Sequence, residues 1–514
     1  MSFTVAALTI FISCFIPLLI LLIKKKHEHK KLPPGPRKLP IIGNLHQLSQ
    51  PVHQALRCLS DKHGSLMFLQ LGSVPTLVVS SAAMAREVLK THDLIFASRP
   101  SLYATKKLSY NGTNISLAPY GKYWREVRKI ALVELLSAKR VKSFEAIRKE
   151  EVAYILKIVE DSTAKSTPVN LTELMFLVVN NIVLRSIFSK KGNHSEEKGK
   201  SSVSKFIEIL NETQELASVG NIADSYPWMG WYNKFNGFDG RLEKNFRALD
   251  GFYDMVIQEH RQQSGGSQHE DLVDVLLRVQ NDPNQEIRLS DENIKGVLTI
   301  IFSDFDEGHV YSWNGYFFHN TSMDNGRTDK KPSRDEKSTG RSERSCQGKW
   351  FTTGKRKPSS GTCISKDGYK RGPKTPPPLP LLLPHETTER CSIAGYDIPA
   401  KMRVLINATS IAMNPEYWEN PEEFKPERFL NVDTDFRGQH LELLPFGAGR
   451  RGCPGINFAV VIIELAMASL LHSFNWNMPD GESAEDLNME ESFGIVAHKK
   501  TPLNLVASKP SVAT

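Results

Sequence analysis

The stretch Phe446-Gly447-Ala448-Gly449-Arg450-Arg451-Gly452-Cys453-Pro454-Gly455 decides how the rest of the chain is read. It is a glycine-rich loop holding one cysteine, and the apolar run that follows, Ile456 to Leu471, has the make-up of a helix. Gly449, Gly452 and Gly455 carry no side chain, so a bound group can approach their backbone closely. Pro454 suits the start of the helix, because its missing N–H costs nothing there. Cys453 then lies near a helix N-terminus, where the positive end of the dipole favours the thiolate, the form of sulfur that ligates metals. Phe446 is placed to shield that sulfur from water.

The spacing F-x-x-G-x-R-x-C-x-G resembles the haem loop of the cytochrome P-450 monooxygenases. The resemblance implies that Cys453 is the axial ligand of the iron of haem b and that Phe446 covers the thiolate. It also implies that Arg451 reaches a haem propionate, with Gly449 and Gly455 lying close to the cofactor. A structural cysteine in a glycine-rich turn is the competing reading.

Composition is compatible with this and does not prove it. A chain of 514 residues can form several domains or one large α-rich domain with a tail. The six cysteines show no C-x-x-C spacing, so neither a zinc site nor a disulfide framework is indicated. The net charge of +8 raises the question of nucleic acid, but Lys and Arg are not gathered on one amphipathic helix, so no nucleic-acid partner is expected.

Val5 to Ile23 is uninterrupted by charge and ends at Lys24-Lys25-Lys26, which reads as one membrane span in lipid, residues 1–23. A cleaved signal would carry its basic residues before the apolar run. The positive-inside rule puts the body of the protein in the cytosol, so the N-x-S/T triplets at Asn111, Asn114, Asn170 and Asn193 stay unglycosylated. Residues 24–44, basic and then proline-rich through Leu32-Pro33-Pro34-Gly35-Pro36, resemble the family's hinge; a plain linker is the alternative.

Further on, Leu66 to Leu71 and Thr76 to Ser80 read as a hairpin across Gly72-Ser73-Val74-Pro75, and Ala82 to Lys90 as a helix. Phe96 to Pro100 is a family-like loop, and the resemblance implies that the polar segment Ser101 to Tyr120 lies over the haem as a substrate-contacting loop. Trp124 and Arg128 lie four apart, on one face of a helix within Gly121 to Leu132. The family's W-x-x-x-R pattern implies that both reach a haem propionate; a surface arginine beside a packed tryptophan is the commoner origin of such a pair. Ile222 to Phe238 is dense in aromatics, which suits either a membrane-interface segment or ordinary packing. Ser290 is the expected N-cap of a helix from Asp291 to Phe302.

There the resemblance stops. The family pattern calls next for A/G-G-x-D/E-T-T/S, whose acid and hydroxyl deliver protons to oxygen, and later for E-x-x-R. Residues 304–376 hold neither. They are rich in Lys, Arg, Ser and Gly without periodicity, a composition that forms no core and reads as disordered, and they carry +6 of the net charge. Back-translated and read one nucleotide later, Lys366 to Pro376 can spell K-M-V-I-K-E-A-L-R-L-H, which contains E-x-x-R. In the same frame Met323 to Gly348 can spell an amphipathic helix, and Tyr311 to Asn320 can spell I-V-G-T-D-T-S-S-T-I, the oxygen-activating motif. A frame change between Asp304 and Val310, reversed near Pro377, accounts for all three. The catalytic acid and threonine are therefore absent from the printed sequence.

After Pro377 the pattern resumes, with β-like runs at Ile393 to Pro399 and Arg403 to Asn407. Phe424-Lys425-Pro426-Glu427-Arg428-Phe429 matches the family's P-E-R-F segment, in which Arg428 would lock structurally to the E-x-x-R pair. The resemblance thus implies a mainly α fold with a small β region, a cytochrome P-450 fold of plant microsomal type in residues 45–514, behind a single transmembrane helix. It implies a haem-thiolate monooxygenase in the endoplasmic reticulum membrane with a cytosolic catalytic domain. An NADPH-cytochrome reductase, O2 and a small apolar substrate are its expected partners. The rival readings are an inactive relative or non-catalytic haem binder, and a reductase-independent haem-thiolate isomerase or lyase.

Overall fold

The computed structural model describes residues 31–189, 202–218, 220–263, 270–306, 377–422, 429, 434–479, 488, 490–491, 494–497 and 500–510. The expected membrane span, the charged stretch 190–201, most of residues 304–376, and Arg428 lie outside the described residues.

In chain order the first elements are α1 (Val52–His63), β1 (Leu66–Leu71), β2 (Val74–Val79), α2 (Ala82–Arg86) with a π-turn at Glu87–Thr91, α3 (Tyr103–Leu108) and α4 (Lys122–Ile130). Next come α5 (Ala138–Ser143), α6 (Glu145–Ala164), β3 (Val169–Asn170), α7 (Leu171–Phe188), α8 (Ser202–Ser218), α9 (Ile222–Ser225) and a 3-10 segment at Pro227–Lys234. The long helices α10 (Phe238–Gln263), α11 (Leu272–Asn281) and α12 (Asp291–Asp306) follow. The chain then runs through β4 (His385–Glu386), β5 (Cys391–Ile393), β6 (Tyr396–Ile398), β7 (Arg403–Ile406), α13 (Ala408–Ala412), α14 (Ile456–Ser473), β8 (Asn475–Asn477) and β9 (Asn504–Ser508).

The main sheet has the order β1-β2-β7-β4, with β7 parallel to β2 and the other pairs antiparallel. The hairpin turn is shorter than its sequence suggests: β2 begins at Val74, and Pro75, which has no N–H to donate, stands opposite Gln70. Gln70 instead gives its own N–H to the Asn44 side chain at 2.8 Å. Gly72 takes φ +61 to close the turn. At β5–β6, Ala394 and Gly395 both have positive φ (51 and +79), as a two-residue hairpin loop requires. The polar segment Ser101 to Tyr120 is only partly a loop. Its first half forms α3, because Ala104 and Leu108 find an apolar pocket against Leu216 and Leu242.

Ser290 caps α12 as expected, accepting from Asn293 N at 3.2 Å, while the Asn293 side chain accepts from Ser290 N at 2.9 Å. Among the described residues two helices, α7 and α14, are long and apolar enough to cross a membrane, yet both belong to the main apolar core. Helix α7 is apolar almost all round because neighbours surround it.

Two apolar clusters position the site. One is helical and takes in α4, α6, α7, α10 to α12 and α14; the other lies between the main sheet, α2 and the β5–β6 hairpin. The cysteine loop crosses the seam: Phe446 belongs to the helical cluster and Ala448 to the sheet cluster.

Candidate functional site

The loop is a closed unit. Cys453 N donates to Phe446 O at 2.9 Å, Gly452 N to Gly449 O at 3.1 Å, and Gly447 N to Leu444 O at 3.2 Å. Gly447 and Gly449 both take φ +67, where only glycine is comfortable. A β-carbon on Gly449 would stand 2.2 Å from Leu89 O, so here the close approach is to the protein's own π-turn. Gly452 and Gly455 have ordinary negative φ (−55 and −86), and Gly455 is the N-cap of α14. Pro454 therefore lies one residue ahead of the cap, not at the first helical position, because the cap itself is glycine. The Cys453 side chain is half-buried against the helical cluster, and Phe446, buried, tilts over Phe436 with ring centres 6.0 Å apart. Among the described cysteines, Cys58, Cys391 and Cys453, none is in a disulfide.

Around the loop the structure gathers cations. Arg451 donates to three backbone carbonyls, Ala97 O (2.6 Å), Ile115 O (3.1 Å) and Ala118 O (2.6 Å), with its guanidinium 4.3 Å from the Trp124 ring centre. Trp124 Nε1 donates to the same Ile115 O at 2.8 Å. Arg128 reaches the cysteine loop itself, giving a hydrogen bond to Gly452 O at 2.7 Å, and also lies over Trp124. The four-residue spacing thus brings both side chains to the cysteine loop, Trp124 against Arg451 and Arg128 against Gly452, though each bonds a backbone oxygen.

Sequence reasoning missed three neighbours. Arg99 is buried and donates to Ser116 O (3.0 Å), Leu383 O (2.6 Å) and Pro384 O (2.9 Å). His385 pairs with Phe96 O at 2.7 Å; burial first, and the charge of Arg99 next, hold its pKa well below the usual histidine value, so it is neutral with Nδ1 as donor. Asp93 accepts from Arg450 N at 3.2 Å, and burial raises its carboxyl despite that contact. The only available signal was Arg99 in the Phe96 to Pro100 loop, without a role attached.

The electrostatics point one way. Burial, then Arg99 and Arg128, push the Arg451 guanidinium down to about 8, with Asp93 the carboxylate offsetting them. A half-buried cation held by neutral carbonyls beside two other cations is undercompensated. The donor set therefore fits a group that presents carboxylates next to the Cys453 sulfur, as the two propionates of a haem would.

A separate cavity of about 940 Å³ lies between α3, the Pro227–Lys234 segment and α10, bounded by Tyr103, Lys106, Asp224, Phe246 and Arg403. The first half of the Ser101 to Tyr120 segment lines it, while the second half supplies the carbonyls that hold Arg451 and Arg99.

Comparison with known proteins agrees with the loop. The cytochrome P-450 family model matches residues 33–304 and 375–505. Strychnine-11-hydroxylase of Strychnos nux-vomica is 49% identical over 509 residues, covering 98% of this chain and 96% of that one. A cytochrome P-450 of Glycine max, 71A9, is 50% identical over 489 residues, 94% of each chain. A zebra fish cytochrome P-450 solved with progesterone shares the fold, with a TM-score of 0.66 at 21% identity over 90% of this chain and 100% of that one. The mainly helical fold with small sheets, the monooxygenase class and the haem-iron cofactor are common to this group. The chain belongs to the cytochrome P-450 family, among its plant monooxygenases.

Proposed function

We propose that this protein is a membrane-bound haem-thiolate monooxygenase of plant specialised metabolism. The observation that carries the proposal is the convergence of Arg451, Arg128 and Trp124 on the Cys453 loop. Cys453 would hold the iron, while Arg451, Arg128 and Trp124 would bind the propionates. Phe446 keeps water from the sulfur, and Gly449 lets the loop seat on the π-turn. Arg99 ties the Phe96 to Pro100 loop to Leu383 and Pro384, so the carbonyl cradle of Arg451 stays in place. When bound, haem supplies the redox chemistry: O2 is reduced with electrons from NADPH through a reductase, one oxygen atom entering the substrate and the other leaving as water.

Substrate class rests on the relatives. Strychnine-11-hydroxylase and the (+)-menthofuran synthase of Mentha piperita, the latter 36% identical, support a small, largely apolar plant metabolite such as an alkaloid or terpenoid.

Membrane attachment has support from the surface. Trp228, Trp231 and Phe235 are 66%, 54% and 79% exposed, and Ile41, in the hinge after the expected anchor, is 84% exposed. Tyr226 Oη donates to Ile41 O at 3.3 Å, so hinge and aromatic segment adjoin. Such a patch suits the headgroup layer of the endoplasmic reticulum membrane, with residues 1–23 as the single span.

We infer further that residues 304–376 are read out of frame. The family match breaks off at 304 and resumes at 375, while the alignment with the Strychnos relative spans 98% of this chain and 96% of that one, which supports a segment of normal length with altered content. Sequencing the transcript tests this; in-frame coding of the printed residues refutes it and favours the inactive relative. A carbon-monoxide difference spectrum of the frame-corrected protein tests the haem-thiolate assignment, and Cys453→Ala is expected to abolish the thiolate band. NADPH-independent turnover would instead favour an isomerase or lyase.

A further inference from the structure

A charge cluster built on one buried lysine lies at the far end of the segment that cradles Arg451. Lys295, on α12, is 6% exposed, and an ammonium so placed requires carboxylate partners. It has two: Asp250 at 2.5 Å and Asp254 at 2.7 Å, one turn apart on α10. Asp250 Oδ1 also accepts from the Tyr110 hydroxyl at 3.0 Å. Burial first, and the Asp250 charge next, raise the Tyr110 phenol well above its usual value, so it remains a donor.

Tyr110 begins an unusual stretch. Tyr110, Asn111 and Gly112 all take positive φ (51, 60 and 76), although two of the three are not glycine. Consecutive left-handed residues persist only where the surroundings fix them. Immediately after, the segment lies on the backbone of α12: a β-carbon on Gly296 would stand 2.7 Å from Thr113 Oγ1. A few residues later its carbonyls at Ile115, Ser116 and Ala118 hold Trp124, Arg99 and Arg451. One ten-residue stretch, 109–118, therefore links the Lys295 cluster to the arginines beside Cys453.

We propose that Tyr110 is a positioning residue: anchored by Asp250, and through it by Lys295, it fixes segment 109–118 on α12 and so aims the carbonyls that hold Arg451 next to the cysteine loop. Its relevance to oxygenation rests on the haem-thiolate reading; the geometry of the tie does not.

The test is Tyr110→Phe, which removes one oxygen atom, in the full-length chain. Hydrogen exchange of peptides spanning 109–118 is compared with that of α7, and the rate of Cys453 alkylation with that of Cys391, both by mass spectrometry. Neither measurement needs bound haem, so failure of the haem-thiolate reading leaves the test intact. Exchange at 109–118 should rise about tenfold, roughly what a charge-assisted hydrogen bond is worth in a local opening equilibrium. Cys453 should alkylate faster relative to Cys391, while α7 stays unchanged. A merely structural Tyr110 would loosen α7 equally. That result, an unchanged segment, or a loosened segment without faster Cys453 alkylation would each overturn the proposal.

Discussion

Gly449→Ala should be the most damaging single-methyl change in the cysteine loop. At φ +67 an alanine carries a left-handed penalty of about 1–2 kcal/mol. Its new β-carbon would also stand 2.2 Å from Leu89 O and 3.1 Å from the Asp93 carboxylate. Because Leu89 O is backbone in the π-turn, relief requires the loop to move away by roughly 1 Å, and overpacking of this kind costs about 1–3 kcal/mol more. The movement would also stretch the Arg450 N to Asp93 contacts, already 3.2 and 3.3 Å long. The total, about 2–5 kcal/mol, is a large part of an ordinary folding free energy. Gly452→Ala is the comparator: its φ is −55 and its β-carbon would lie 3.3 Å from Gly449 O, so a small adjustment suffices and the cost stays below about 1 kcal/mol. Urea unfolding followed by near-ultraviolet circular dichroism measures both. Equal effects, or less than about 1 kcal/mol for Gly449→Ala, would show that the loop does not depend on its seat against Leu89.

Metal-free protoporphyrin IX, with both propionates intact, should raise the melting temperature of the apoprotein while its dimethyl ester does not, because Arg451 and Arg128 need the anions; equal stabilisation by both would remove the propionate role from these arginines. His260 has both ring nitrogens engaged, by Val256 O and by Asp271 at 2.8 Å each, so the pair reads as an ion pair and not a metal site. Burial opposes its charge, but the Asp271 contact outweighs that and raises the His260 pKa above 6.5. The pair's contribution is therefore full below pH 6.5 and fades as pH climbs through the raised value; His260→Leu should cost about 1.5–3 kcal/mol at low pH and clearly less at high pH, and a pH-independent loss would contradict it. Brominated lipid should quench tryptophan fluorescence in the native protein and quench it much less in Trp228→Ser/Trp231→Ser; undiminished quenching would take the aromatic patch off the membrane.

Much of this was legible because the signals are local. β-favouring apolar runs and a glycine turn mark the β1–β2 hairpin, and i,i+4 spacing places Trp124 and Arg128 on one face. Helix α3 was hidden, since Lys106 and Lys107 make its stretch look polar while Ala104 and Leu108 are its only buried apolar residues. The aromatic stretch Ile222 to Phe238 could not be placed by composition; four of its rings are exposed, and Tyr226 of the same stretch contacts Ile41, a tertiary link that composition does not carry. Hydropathy likewise cannot separate the core helix α7 from a membrane span, because both are apolar all round.

Arg99 and His385 were illegible for a deeper reason. Their partners are backbone oxygens: Arg99 bonds Leu383 O and Pro384 O, and His385 bonds Phe96 O, nearly three hundred residues away in sequence. A carbonyl has no residue identity, so no motif records it. The same holds for Arg451, whose loop names the residue but not the cradle of Ala97, Ile115 and Ala118 that orients it. Two segments supply that cradle, and each is fastened elsewhere, one by Arg99 and the other by Tyr110 at the Lys295 cluster. The cysteine loop therefore specifies the chemistry, while the direction in which its arginine points is set by side chains that carry no trace of that chemistry in the sequence.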